Sequence, residues 1–226
     1  MTRVLISVEG QTEEAFCRDV LGPHLANYGV YATSVVLTTK RAANGSKFKG
    51  GASGWSQIRQ ELFDLLADTS ARAVTTMYDF YGLPSDIRSF ATVTAATGNS
   101  SHTAIAIENE IVQQIGDQRL RPYLQLHEFE ALVFAAEAIA ERRSGLQTVG
   151  SMIRQAVSDA GGAEMVNEDP STAPSKRLIH SWPGYVKTID GPAIAGAAGL
   201  DSLRLSCPHF GSWLDWLEGL PAAPLA

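Results

Sequence analysis

The chain has 226 residues, 45% of them apolar, and a formal net charge of −6 at pH 7. This composition excludes a disordered chain and argues against a generally basic nucleic-acid binder, although it allows a local basic patch. The two cysteines form no CxxC or zinc-binding spacing. The first apolar run stops at Glu9, too soon for a secretory signal, and no stretch is apolar enough to cross a bilayer. We therefore expect a cytoplasmic protein with no membrane partner.

The first element is a mostly apolar run over residues 4–8, which is too short for a soluble helix and predicts a strand covered on both faces. Glu9 follows at the carboxyl end of this strand, where open parallel sheets place their ligands. Gly10 permits a tight turn, and a helix is expected over residues 12–28. Pro23 is expected to kink or split that helix.

A second strand is expected over residues 30–39, followed by a long, mobile, basic loop over residues 40–54. The loop combines several glycines with four basic residues, Lys40, Arg41, Lys47 and Lys49. It is either a solvated connection or a loop that contacts phosphates, because glycine lets the backbone approach and lysine supplies charge. No GxxxxGK[ST] motif occurs, which argues against an intrinsic P-loop ATPase or GTPase.

The remaining patterns predict, in order, a helix over 55–67, a strand over 73–78, a helix over 105–115, a strand over 120–126, a helix over 145–159, an irregular segment over 164–175, a short helix from Ser175 and a final helix over 207–217. Strands and helices alternate in the first part of the chain, which predicts an α/β fold with a parallel sheet core flanked by helices. We expect this core to span residues 1–143, with a helical C-terminal appendage over 144–226 packed on it in a single domain.

Carboxylates follow three of the predicted strands: Glu9, Asp79 and the pair Glu128 and Glu130. If the strands are parallel neighbours, these side chains converge on one edge of the sheet. Clustered carboxylates repel unless they are protonated or share a cation, and hard oxygen ligands suit Mg²⁺ or Mn²⁺. The alternative interpretation is a set of independent, solvated acids.

The sequence resembles a bacterial family called domain of unknown function 4276. The resemblance rests on five stretches: residues 8–13 (VEGQTE), 78–84 (YDFYGLP), 125–132 (QLHEFEAL), 173–178 (APSKRL) and 207–210 (CPHF). That family is regarded as Toprim-like, which implies a fold shared with topoisomerases, primases and some nucleases. It often lies beside an ATPase in defence-associated gene pairs, which implies an ATPase partner. Typical Toprim domains carry a DxD motif after the third strand, whereas here Asp79 is followed by Tyr81 at the second acidic position.

Three further residues are candidates for the chemistry. His127 is interpreted either as a general base or as a histidine satisfied at a helix start. Lys176 and Arg177 are interpreted either as a pair that binds a scissile phosphate or as a helix surface pair. His209, Trp213 and the nearby aromatic residues are expected to pack the last helix.

The leading hypothesis is a Mg²⁺- or Mn²⁺-dependent nuclease, or a related phosphodiester-transfer effector, acting on DNA or RNA with an ATPase partner. Its cation would be held by Glu9, Asp79, Glu128 and Glu130. The basic residues at 40–49, together with Lys176 and Arg177, would contact phosphate. The alternative is a non-catalytic Toprim-like module that docks an ATPase or another partner and needs no metal.

Overall fold

The structure, a computed structural model, describes residues 1–41, 47–49, 54–91, 100–166 and 173–220. Its centre is a five-stranded sheet in which the pairings are parallel. Strand β1 (Thr2–Val8) lies between β2 (Val30–Val36) on one side and the strand over Ala73–Asp79 on the other. The prediction of an α/β fold with a parallel sheet is confirmed.

The segment predicted as a mobile basic loop contains an antiparallel hairpin instead. Strand β3 (Thr38–Arg41) pairs with β4 (Lys47–Lys49), and Arg41 lies opposite Lys47. Lys40 and Lys49 therefore also lie in strands rather than in an irregular loop. The glycines of this segment suggested a loop, but threonines and Phe48 favour strand backbone locally. Residues 42–46 and 50–53, which the prediction also covered, lie outside the described residues.

The central strand is β5 (Ala73–Asp79), and the predicted strand over 120–126 pairs with it in two short pieces. These are β6 (Leu120–Arg121) and β7 (Leu124–Gln125). Pro122 separates them, because proline has no N–H to donate to the ladder. At the break the hydroxyl of Thr76 replaces a backbone partner: it accepts from the Tyr123 N–H at 2.9 Å.

The first predicted helix is continuous but changes its winding in the middle. It comprises α1 (Gln11–Phe16), a π-helical segment over Cys17–Leu21 and α2 (Gly22–Ala26). The Gly22 N–H donates to the Cys17 carbonyl, one residue further back than in an α-helix. Pro23 cannot donate and crowds the preceding turn, so the wider π turn accommodates it without breaking the helix. Gly29, with a φ of 72°, follows the helix.

The other helices are α3 (Trp55–Leu66), α4 (Ser85–Arg88), α5 (Ser100–Ile115), α6 (Glu130–Ala135), α7 (Glu137–Ser144), α8 (Gln147–Ala160), α9 (Pro174–Ser181), α10 (Lys187–Ala198), α11 (Leu200–Ser206) and α12 (Pro208–Glu218). Short 3₁₀ turns occur at Ser89–Ala91 and Ala163–Met165. Within the described ranges, none of these helices is long and apolar enough to cross a membrane.

The sheet is covered on both faces, so successive residues of β1 enter different hydrophobic clusters. Val4 and Ile6 belong to a cluster with residues of α1, α6 and the C-terminal helices, among them Trp213. Leu5 belongs to a second cluster with residues of α3 and α5. Helix α10 also packs against α1. Residues after 143 therefore share a core with the first strand and help to form the sheet edge where β1 and β5 end.

Candidate carboxylate site at the sheet edge

A pocket of about 270 Å³ opens where β1 and β5 end. The ladder places Val8 opposite Met77, so that Glu9 follows β1 close to the end of β5, and both Glu9 and Asp79 reach the pocket. Eight residues line this pocket, from the segment that links β1 to α1, from α1 itself, from the end of β5, from the start of α6 with the residue before it, and from α10: Glu9, Gly10, Thr12, Glu13, Asp79, Phe129, Glu130 and Lys187. The structure thus brings together three of the four carboxylates that the sequence suggested as metal ligands.

Glu9 is held against the turn that follows β5. Its Oε2 atom accepts a hydrogen bond from the Asp79 N–H at 3.0 Å. Gly82 closes this turn by donating its N–H to the Asp79 carbonyl, and a Cβ at residue 82 would overlap the Glu9 carboxylate. Glycine at this position therefore gives the carboxylate of Glu9 the space it occupies.

Glu13 is a carboxylate of the pocket that the sequence patterns did not single out as a ligand. It lies in the first turn of α1, is 5% exposed, and accepts a hydrogen bond from the Gly10 N–H at 2.9 Å. The only signal in the sequence was its position one helical turn after Glu9, which a capping residue would also explain. Unlike an ordinary capping residue, Glu13 is buried, and it lies beside Glu9.

The two carboxylates near α6 have different surroundings. Glu128 does not line the pocket; its Oε2 atom accepts from the Ser175 N–H at 3.0 Å in the first turn of α9. Glu130 is 1% exposed and accepts from the Tyr185 hydroxyl at 3.3 Å. Lys187 Nζ lies 3.4 Å from Glu130 Oε1. No sequence pattern pointed to Tyr185 or Lys187, since both join the site only through the packing of α10.

Burial is the main reason why these carboxyl groups resist ionisation. It raises the pKa of Glu9, of Glu130 and, to about 7, of Glu13. Burial also raises the pKa of Asp79 well above its usual value, and the neighbouring carboxylates raise it further. Like charges crowded into a low-dielectric pocket are unfavourable, so the site as it stands favours either protons or a bound cation.

Lys187 is the positive charge that faces these acids. Burial lowers its pKa, but the carboxylates of Glu130, Glu128 and Asp79 raise it by more, so that the net shift is upward. The Lys187 side chain is 42% exposed, whereas that of Glu130 is 1% exposed. The ammonium therefore reaches the buried carboxylate from the solvent side of the pocket.

His127 lies next to the site but does not line the pocket. Its backbone has a φ of 64°, a left-handed conformation that is strained for a residue with a Cβ. The ring is buried and packs against Tyr81, with 5.1 Å between the ring centroids. Burial lowers the pKa of His127 to about 4, so the imidazole is neutral at pH 7 and a weak base. The Tyr81 ring packs on His127 and does not line the pocket.

Two of the basic candidates, Lys176 and Arg177, lie outside the pocket lining. Lys176 is exposed and Arg177 half-buried on α9, and the helix is joined to Glu128 through the Ser175 N–H. For Lys40, Arg41, Lys47 and Lys49 the structure gives the backbone pairing of the hairpin described above. Their assignment to phosphate contacts stays a prediction.

The last helix packs as the sequence suggested. The Trp213 ring is 2% exposed and stacks on Tyr123, with ring centroids 4.4 Å apart. His209 Nε2 lies 2.9 Å from Glu108 Oε1, and its ring stacks on the same tyrosine. These contacts hold α12 against the sheet, and the role of His209 in them is to pack the helix.

The chemistry of the pocket fits a hard divalent cation. Asp79 Oδ1 is buried and has no hydrogen-bond partner within the parts of the chain that the structure describes. Oxygen ligands of this kind suit Mg²⁺ and Mn²⁺. In the same described parts, no three His, Cys, Asp or Glu side chains already converge on one point that could hold a metal. Each of the other three carboxylates contacts a different donor: these are Glu9, Glu13 and Glu130. This is expected for like charges that do not share a cation.

The raised pKa of Glu13 predicts a dependence of stability on pH when no divalent cation is present. The unfolded chain loses the Glu13 proton near pH 4.5 and the folded chain near pH 7, so the free energy of unfolding falls as the pH rises through this window. The shift of two to three pKa units corresponds to a loss of about 3 kcal/mol. Urea unfolding in a chelator at pH 5 and pH 8 should show this loss.

The matched variants for this experiment are Glu13→Gln and Glu14→Gln. Glutamine at 13 still accepts the hydrogen bond from Gly10 but does not ionise, so the difference between pH 5 and pH 8 should shrink by about 2–3 kcal/mol, the part that Glu13 contributes. The raised pKa values of Glu9, Asp79 and Glu130 leave the rest of the difference in place. Glu14 is half-buried and outside the pocket lining, so its variant should keep the wild-type profile. Identical profiles for all three proteins would show that Glu13 is not the group that titrates.

The family model described as domain of unknown function (DUF4276) matches residues 8–218 of the chain. All residues that line the pocket fall within this range. No curated protein and no solved structure gives a significant match to the chain. The likeness to the Toprim fold is therefore still a prediction.

Proposed function

The chain belongs to the family described as domain of unknown function (DUF4276), and we propose that it is a divalent-cation-dependent phosphodiesterase that cleaves nucleic acid. The observation that carries the proposal is the pocket at the ends of β1 and β5. It combines four carboxylates with a buried oxygen of Asp79 that has no hydrogen-bond partner within the described residues. A pocket of this composition suits a cation that also meets phosphate oxygens.

Glu9, Asp79 and Glu130 are the residues that would hold the cation, and Glu128, just before α6, would support them while it accepts the Ser175 N–H of α9. When bound, Mg²⁺ or Mn²⁺ would neutralise phosphate charge and lower the pKa of a bound water. The chain's own part is to keep Glu9 and Asp79 adjacent through the Asp79 N–H and to bury Glu130. Because His127 is neutral at pH 7, we assign it to shaping the turn beside Tyr81.

The basic residues supply the proposed contacts to nucleic acid. Lys176 and Arg177 lie on the helix whose first turn is joined to Glu128, and we assign them to a phosphate that reaches the pocket. The hairpin of β3 and β4 adds four more basic residues at the end of β2, and we assign it to the nucleic-acid backbone. An ATPase partner remains part of the proposal on the strength of the family resemblance.

A second candidate function is a binding module that docks a partner without catalysis. It is favoured by Tyr81, which stands where Toprim enzymes carry a second aspartate and packs on His127. Such a module needs no cation, and its carboxylates would serve only as the partners of Gly10, Asp79 and Lys187.

Titration calorimetry with Mn²⁺ and cleavage assays decide between the two. The wild-type protein should bind Mn²⁺ and, with Mn²⁺ present, should cleave at least one of single-stranded or double-stranded DNA or RNA. Binding of Mn²⁺ without cleavage of any substrate, with the ATPase and its nucleotide added, would favour the binding module. Absence of Mn²⁺ binding at millimolar concentrations would refute the cation site.

A further inference from the structure

Lys187 pairs with a buried glutamate in the lining of the carboxylate pocket. It is the first residue of α10 and, among the described residues that line the pocket, it alone carries a positive charge. Its ammonium lies 3.4 Å from the buried Glu130 Oε1 atom and also interacts electrostatically with Asp79 and Glu128. The ammonium thus sits among the same carboxylates that would hold a divalent cation.

The two members of this pair differ in their freedom to move. Glu130 is buried and is also held by the Tyr185 hydroxyl, so its carboxylate stays in the pocket whether or not Lys187 is present. Lys187 is 42% exposed, and its four-carbon stem allows the ammonium to swing to solvent at little cost. A second cation that entered the pocket would therefore displace the lysine rather than the glutamate.

The charges favour such a displacement. The pocket lining holds four carboxylates, Glu9, Glu13, Asp79 and Glu130, against one ammonium. One lysine carries a single positive charge and cannot neutralise this set. A divalent ion would supply twice the charge and could use the unpaired oxygen of Asp79, which the lysine leaves without a partner in the described parts of the chain.

We propose that Lys187 is an internal counter-cation, which pairs with Glu130 in the resting protein and is exchanged for the divalent cation when the site fills. Lys187 thereby sets the concentration of divalent cation at which the site fills. This inference rests on the proposed cation site but does not require that the protein cleaves nucleic acid. A lysine that only linked α10 to α6 would instead keep its contact with Glu130 both with and without the divalent cation.

The test compares Lys187→Met, which keeps the length and apolar stem but removes the charge, with Arg142→Met. Arg142 is exposed on α7 and outside the pocket lining. Calorimetry with Mn²⁺ should show that Lys187→Met binds at least about tenfold more tightly than wild type, because a competing charge is gone. Arg142→Met should bind as wild type does.

Melting temperatures separate exchange from simple structural support. In a chelator, Lys187→Met should melt below wild type, because Glu130 is left buried without an opposite charge. In saturating Mn²⁺ the two proteins should melt together, since the lysine has already left the wild-type site. A decrease of equal size in both conditions, or an unchanged affinity for Mn²⁺, would overturn the proposal. If Lys187→Met does not fold, Lys187→Gln, which keeps a donor for Glu130 without the charge, serves in both measurements.

The outcomes also distinguish this inference from the proposed function. If wild type binds Mn²⁺ and the Lys187 variants bind it with the same affinity, the exchange is wrong and the cation site stands. If neither wild type nor the variants bind Mn²⁺, the cation site is wrong and the exchange falls with it. Tighter binding by the variants without cleavage of any substrate would support the exchange and count against the nuclease.

Discussion

Replacing Asp79 by Asn is expected to lower Mn²⁺-dependent cleavage by at least about 100-fold while leaving the fold intact. Even residues that only support metal ligands typically cost 10- to 100-fold when they are changed, and Asp79 supplies the buried oxygen that lacks a partner among the described residues. Asparagine keeps the shape of the side chain but loses the charge that would hold a cation. Cleavage rates at saturating substrate, measured over a range of Mn²⁺ concentrations, give the size of the loss.

The same substitution should make the cation-free protein more stable at pH 7. The pKa of Asp79 is raised in the folded state, mainly by burial, so the unfolded chain gives up this proton more readily. Ionisation of Asp79 therefore favours unfolding at any pH above its ordinary pKa, and an asparagine side chain, which does not ionise, removes that effect. Asp64→Asn, a change of the same chemistry at an exposed residue paired with Gln60, is the control and should alter neither activity nor stability.

Activity of Asp79→Asn close to that of wild type would refute the mechanism, provided that wild type cleaves. Glu9→Gln gives an independent check, because glutamine can still accept the hydrogen bond from the Asp79 N–H while losing the charge. We expect the same pattern for this variant: cleavage lost, fold kept, and a slightly raised melting temperature in a chelator.

Replacing Trp213 by Ala should destabilise the protein by about 3–5 kcal/mol, the usual range for a buried aromatic side chain. The ring is 2% exposed and lies nearly parallel to Tyr123, at an interplanar angle of 9°. Its Nε1–H donates to the Thr75 hydroxyl at 2.9 Å, so alanine would remove a large contact and a buried hydrogen bond between α12 and β5. Urea unfolding followed by circular dichroism measures the loss.

Trp216→Ala is the matched control on the same helix. Trp216 is half-buried and lies beneath the Arg121 guanidinium at 5.1 Å, so its truncation should cost clearly less than that of Trp213. Equal costs for the two variants would contradict the assignment of Trp213 to the shared core. Loss of a single cooperative transition in Trp213→Ala would show that the C-terminal helices can open separately from the sheet.

Much of the fold followed from local patterns in the sequence. The run before Glu9 and the β-rich residues before Asp79 predicted strands β1 and β5 almost to the residue, because apolar periodicity and strand length are local properties. The same patterns placed Glu9 and Asp79 at strand ends. Since parallel strands present their carboxyl ends at one edge, the presence of these two carboxylates in one place could also be predicted.

Other local features were decided by interactions that a linear pattern does not contain. The strand over 120–126 is divided because Pro122 lacks a donor and the hydroxyl of Thr76, more than forty residues earlier in the chain, supplies the missing partner. The basic segment forms the hairpin of β3 and β4 although its glycines suggested a loop. In the first case a side chain from a distant strand completes the break that proline makes, and in the second the pairing with a neighbouring segment decides the structure.

The remainder of the site depends on the packing of α10 against α1 and α6. These contacts bring Lys187, and Tyr185 just before the helix, to Glu130, and no spacing in the sequence connects residues so far apart. Burial, and with it the raised pKa of Glu13, likewise exists only once the C-terminal helices cover the first turn. The sequence by itself determined which carboxylates stand at the strand ends, whereas the tertiary structure decided which of them are desolvated and which cation faces them, because desolvation and charge pairing depend on distances through space.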